Sequence, residues 1–339
     1  MAAHPESALN CLRSVLTVRL AAAALAAVML ATAGCSQRDE LPPPDRSANQ
    51  AIPEEISIPG ERVFPESITS TADGTLYIGS MGQSQIYRVL PGASTAEVFI
   101  RPGTGDLRQV FGVLADEASG TLWACSNLVG DGPSGTSAPG TSALHGFELA
   151  TGISSSSHAL PAGAMCNDIA VAPGGDVFVT DSNGMLVLRL AKGTTALEGW
   201  SPPGAFGPPG GVLDGIAVVG ARVIVNTLLT NKLFAVEIAA DGSAGAAQEL
   251  QLSQPLSGPD GMRAYGNNGM LVTDGTGKIL HVTIAGDTAM VSTVKDGLEG
   301  PVSVTTVGNV AFALEGQLNV MFGGGEAEKP FRAVVFTLP

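Results

Sequence analysis

The chain has 339 residues, with 31 Asp and Glu against 17 Lys and Arg, 44 Gly, 22 Pro and 4 Cys. A net charge of −14 excludes a phosphate-backbone binder, whose affinity rests on clustered Lys and Arg. With 45% hydrophobic and 14% charged residues the chain is not disordered as a whole; its glycine and proline disfavour a helix bundle, and four cysteines without a CxxC pair exclude a zinc ribbon.

The N-terminus reads as an export signal. Arg13 and Arg19 precede a small and apolar run from Leu20 to Ala33. Such a run suits a signal peptide and falls short of the roughly 20 residues that span a bilayer. Ala31-Thr32-Ala33 is an ordinary cleavage site, whereas Thr32-Ala33-Gly34-Cys35 has the form of a bacterial lipobox, with Thr where Leu is usual. The stretch after Cys35, with Pro42-Pro43-Pro44, reads as an extended tether and favours lipidation at Cys35. The expected organisation is therefore a signal peptide over 1–34, a Pro-rich tether over 35–60 and one folded domain over 61–339. Either cut places the protein outside the cytoplasm, in the bacterial periplasm, with membrane contact only through a lipid anchor.

From Glu61 on, one phrase recurs six times: a short apolar segment, a glycine turn and a β-rich segment ending in a small polar residue. Ile68, Val113, Ile169, Ile216, Met262 and Val304 anchor the copies, at spacings of 45, 56, 47, 46 and 42. A period of this size with several strands per unit is the signature of propeller blades. Third strands are expected at Gln85–Leu90, Ala143–Leu149, Met185–Leu190, Lys232–Ile238 and Lys278–Ile284. The expected fold is all-β, a six-bladed β-propeller closed by pairing Phe331–Leu338 with residues near Ile56–Phe64, which removes exposed edges. A parallel α/β sheet would need amphipathic helices between strands, and the pattern contains none beyond the signal.

The innermost strand of each blade lines the axis. Two residues before each anchor stand Glu66, Phe111, Asn167, Asp214, Asp260 and Val302. Singly, Asn or Asp before Gly is an ordinary turn residue. Converging on one axis, three carboxylates repel unless a cation or protons intervene. Oxygen ligands with no Cys or His in phase favour a hard cation such as Ca²⁺, with Zn²⁺, Mg²⁺ and Mn²⁺ as alternatives.

Pro65-Glu66-Ser67-Ile68, Cys166-Asn167-Asp168-Ile169, Leu213-Asp214-Gly215-Ile216 and Pro259-Asp260-Gly261-Met262-Arg263 resemble the gluconolactonase, or regucalcin-like senescence-marker-protein, family. The resemblance covers about residues 61–339. It implies a six-bladed propeller holding one divalent cation with a Glu, two Asn and an Asp. Glu66, Asn167 and Asp260 match that set; Asp214 stands where the family usually has Asn. The implied activity is metal-dependent hydrolysis of a sugar lactone or related cyclic ester, with Asp260 as general base and Asp168 in reserve to position substrate hydroxyls. Organophosphate or ester hydrolysis, a lyase reaction, and a non-catalytic envelope platform with a structural ion are the alternatives.

A second phase, at the end of each second strand, gives Ser80, Ser126, Asp181, Asn226, Asp274 and Glu315 as candidates for the same mouth or for strand-end solvation. Cys125 and Cys166 fall on the ring-bearing face and could pair in an oxidising compartment. The long segments Asn127–Ser142 and Trp200–Gly211 are candidate rims, with Trp200 and Phe206 as apolar substrate contacts. No G-x-S-x-G elbow, H-E-x-x-H, Walker loop or EF-hand loop occurs. A monomer acting on a small molecule is expected.

Overall fold

The computed structural model describes residues 52–129, 141–207 and 211–339. The signal peptide expected over 1–34, Cys35 and most of the tether lie outside the described residues. The described residues form six sheets built from antiparallel meanders; a two-residue strand, Gln251–Leu252, adds in parallel to the outer edge of the fifth, and the sixth takes one strand from the other end of the chain. Blade one comprises Pro65–Ser70, Leu76–Ser80, Gln85–Val89 and Glu97–Ile100. Blade two begins at Gln109–Asp116, blade three at Cys166–Val171, blade four at Leu213–Val219 and blade five at Pro259–Tyr265. In blade six, Pro301–Val307, Val310–Glu315 and Phe331–Thr337 are completed by an outermost strand from the other end of the chain, Glu55–Ile58.

That pairing, Glu55 with Val334 through Ile58 with Phe331, closes the ring as expected. It also draws the last tether residues into the propeller, so the fold begins before the expected boundary at 61. Ile56 and Ile58 alternate inward and are 1% and 0% exposed, which is the reason a four-residue strand holds its place.

Burial follows position within the blade. Leu76–Ser80 and Val177–Asp181 are buried at every residue, whereas the outer strands Ala244–Glu249 and Ser154–Ala159 are largely open to solvent. The core consists of six apolar seams, one between each pair of neighbouring blades. Ile68, Ile78 and Tyr87 of blade one meet Leu314, Phe331 and Phe312 of blade six. Ile224 and Leu233 of blade four meet Met262, Met270 and Val272 of blade five. One short helix, α1 (Leu318–Gly323), lies in the connection between the second and third strands of blade six.

Candidate metal and active site

Near its start, each innermost strand carries one residue more than its neighbour. The register slips between Pro65 and Ser67, Val110 and Val113, Cys166 and Ile169, Leu213 and Ile216, Pro259 and Met262, and Pro301 and Ser303. A bulge interrupts side-chain alternation and re-aims the extra residue. The re-aimed positions are Glu66, Phe111, Asn167, Asp214, Asp260 and Val302. The glycines that follow have a packing role: a Cβ at Gly215 would stand 2.5 Å from the Asp260 carbonyl oxygen, and one at Gly261 would stand 2.6 Å from that of Val302. The Asp-Gly pairs read as turns in the sequence are thus bulges pressed against the next blade.

Carboxylate oxygens of Glu66, Asp214 and Asp260 lie within 4.8 Å of one another. Blades one and four stand across the ring from each other, so these oxygens meet at the axis. Glu66 and Asp214 are buried, while Asp260 is half-buried. Burial and then the neighbouring carboxylates of Asp260, Asp214 and Asp168 hold the Glu66 carboxyl well above the ordinary range. Burial, then Asp214 and Asp168, do the same to Asp260. Asp214 is pushed up to about 7, by burial first and Asp168 second. Its Oδ1 has no partner among the described residues.

Three converging carboxylates, an orphaned buried acceptor and strongly opposed ionisation form an oxygen donor set that fits a hard divalent cation. Asn167, the fourth ligand expected from the sequence, occupies the equivalent position in blade three and is 5% exposed. Its Nδ2 donates to Ser182 Oγ at 2.9 Å, which turns the amide oxygen the other way.

Asp168 has a different task from positioning substrate. Arg263 Nη1 donates to both its oxygens, at 3.0 and 2.9 Å, and the backbone N–H groups of Ile169 and Ile216 complete its shell. Arg263 Nη2 reaches on to Ser67 Oγ at 3.1 Å and the Val113 carbonyl at 2.9 Å. The pair therefore ties blade five to blades one, two and three, and Asp168 itself to blade four. Asp168 is 5% exposed and fully engaged, so the reserve role expected for it is withdrawn.

The strand-end residues of the second phase serve as internal clamps. Asp181 Oδ1 accepts the Met165 N–H, Asp274 that of Ser257, Glu315 that of Glu299 and Ser126 that of Arg108, each fastening the segment that leads into the inner strand. Ser80 donates to the Val63 carbonyl, and Asn226 Nδ2 to the Asp260 carbonyl.

Phe206 is a core residue and Trp200 is half-buried against the same cluster, so neither stands as the rim contact expected. Phe206 is 1% exposed and stands edge-on to Phe234 at 5.6 Å. Trp200 packs on Phe178 at 4.8 Å and donates its indole N–H to the Gly242 carbonyl. Residues 130–140 and 208–210 of the two expected rims lie outside the described residues.

Cys125 and Cys166 are disulfide-bonded, joining blade two to the inner strand of blade three beside Asn167. A cavity of about 820 Å³ lies away from the carboxylates: Leu114–Asp116, Val171 and Val218 at the far ends of inner strands line it, with Trp123 and His158.

No protein-family model matches the chain, and no curated protein matches it in sequence. Solved structures do match in fold. A gluconolactonase from Xanthomonas campestris aligns over 82% of this chain and 87% of its own, with a TM-score of 0.58 and 16% identity. The major allergen Mala s 1 of Malassezia sympodialis aligns over 84% and 96%, with a TM-score of 0.67 and 16% identity. A calcium-binding protein, regucalcin, from Agrobacterium tumefaciens aligns over 84% and 95%, with a TM-score of 0.55 and 13% identity. The chain thus shares its all-β propeller fold with gluconolactonases and regucalcin, the likeness its blade motifs carry.

Proposed function

We propose that this protein is an exported, metal-dependent hydrolase of a lactone or related cyclic carboxylic ester. The observation that carries the reading is the meeting of Glu66, Asp214 and Asp260 oxygens within 4.8 Å at the ring axis. These three residues, with Asn167, would hold one divalent cation, Ca²⁺ being favoured by the all-oxygen donor set. When bound, that ion supplies Lewis-acid polarisation of the ester carbonyl.

The remaining chemistry belongs to the chain. Asp260 is the half-buried member of the cluster and so the one that water can approach. In the metal-free chain burial and then Asp214 raise its carboxyl; a bound cation would oppose that rise and leave the carboxylate ionised, in the form that can take a proton. It takes a proton as water oxygen bonds to the carbonyl carbon, and returns that proton to the alkoxide as the ring C–O bond breaks. Glu66 and Asp214, more deeply buried, serve as ligands. The pair of Arg263 and Asp168 keeps inner strands in register and bears no substrate.

Export rests on the N-terminal signal, with a lipid at Cys35 anchoring the mature chain. The disulfide between Cys125 and Cys166 supports an oxidising compartment. A panel of lactones and aryl esters, assayed with and without chelator, tests the reading. Chelator-sensitive lactone hydrolysis is expected. Hydrolysis untouched by chelation contradicts it and brings forward a propeller that binds without catalysis.

A further inference from the structure

The wall beside Glu66 is apolar. Its two ring neighbours, in blades two and six, are Phe111 and Val302, 6% and 5% exposed. Leu318 and Met321 of α1 pack against both clusters that contain these residues: one with Phe111, Met81, Val129 and Met165, the other with Val302, Phe64 and Phe331. The helix therefore lays an apolar bridge from blade six towards blades two and three. Phe322 and Leu128 remain 39% and 42% exposed.

The polar residues at the second-strand ends of this face are already engaged. Ser80, Ser126, Asp181, Asn226, Asp274 and Glu315 all hold backbone groups of the fold. A polyhydroxylated ring placed here would lose water hydrogen bonds without replacing them, which penalises binding. An alkyl chain would exchange water for the half-buried Leu318 and the adaptable thioether of Met321, which overlie the buried Phe111 and Val302 clusters.

We propose, on the basis of the lactonase reading, that the substrate is an alkyl- or aryl-substituted lactone whose remote part lies against this wall, and not a sugar lactone. The test is a series on the mature protein: γ-butyrolactone, γ-octalactone, γ-undecalactone and glucono-δ-lactone. The expected result is kcat/KM rising with chain length, by roughly twofold to fourfold per methylene, with glucono-δ-lactone the poorest of the larger substrates. Met321→Gln should lower the ratio of γ-undecalactone to γ-butyrolactone activity about tenfold. A flat series, or preference for glucono-δ-lactone, overturns the proposal.

Calorimetric binding of 5-heptyl-2-pyrrolidinone and unsubstituted 2-pyrrolidinone, which the enzyme would not open, separates this inference from the hydrolase reading. Should no lactone be hydrolysed with any divalent ion, the hydrolase reading falls. Tighter binding of the heptyl lactam, lost in Met321→Gln, then still supports the apolar wall. Equal or absent binding of the two lactams overturns it.

Discussion

Arg263 Nη1 and Asp168 Oδ2 stand 2.9 Å apart in the buried centre of the ring, although 95 residues separate them in the chain. Arg263 is 9% and Asp168 5% exposed, so each charge depends on the other for the hydration it has lost. Arg263→Met should cost about 3–5 kcal/mol, because it strands a buried carboxylate. Adding Asp168→Asn to that variant should recover part of the loss. Equilibrium denaturation of the wild type, the two single variants and the double variant measures the coupling. Strict additivity would show that the pair is not a unit.

The ring carboxylates should make the chelated protein lose stability as pH rises. Asp214 moves from an ordinary 3.8 up to about 7, so between these values the folded chain holds protons that the unfolded chain has released. Stability then falls with rising pH in that window. Chelated wild type should accordingly lose thermal midpoint more steeply between pH 4 and 7 than chelated Asp214→Asn. Parallel slopes for the two proteins would contradict the assigned repulsion.

Much of this was legible in the sequence, for a physical reason. Six copies of one blade repeat the same phase, so Glu66, Asp214 and Asp260 could be aligned on one axis before any contact was known. The strands followed the same periodicity, Lys232–Ile238 residue for residue. What escaped was whatever depends on contact between blades. Arg263 reads in the sequence as merely the residue after Met262, since nothing local announces a partner at Asp168. The second-phase residues share a position but spend their hydrogen bonds on backbone atoms, which spacing cannot reveal. Trp200 and Phe206 sit in an irregular stretch, where no alternation separates an inward aromatic from an outward one. Glu55–Ile58 follows a proline-rich segment and is only four residues long, so composition drew the boundary after it.

The closing strand yields its own test. Ile58 is fully buried against blade one and blade six. Ile58→Ala should destabilise the propeller by about 2–5 kcal/mol. Glu55→Ala, at the exposed start of the same strand, should change stability by less than about 0.5 kcal/mol. Denaturant titration of both variants distinguishes an anchored closing strand from a loose one, for which the two changes would be equally mild.

The disulfide spans 41 residues. Cross-links of this kind contribute about 2–4 kcal/mol, chiefly by restricting the unfolded chain. Cys125→Ser with Cys166→Ser should lower the thermal midpoint of the mature protein, and reductant should have no further effect on that variant. A midpoint equal to wild type under oxidising conditions would contradict the assignment.

Asp260→Asn separates base from ligand. Loss of a general base costs about 10²–10⁴-fold in rate. The variant should therefore fall by at least about 100-fold in lactone kcat while remaining folded, as judged by circular dichroism. Full activity in Asp260→Asn would remove it from the mechanism.

The central claim, that Glu66, Asp214 and Asp260 form one divalent-cation site, is tested most directly by calorimetric titration of Ca²⁺ into the chelated mature protein. One ion per chain should bind, with release of the protons that the crowded carboxylates retain, and Glu66→Gln should weaken that binding severely. An absence of stoichiometric binding of Ca²⁺, Mg²⁺, Mn²⁺ or Zn²⁺, or binding unchanged in Glu66→Gln, would contradict the account.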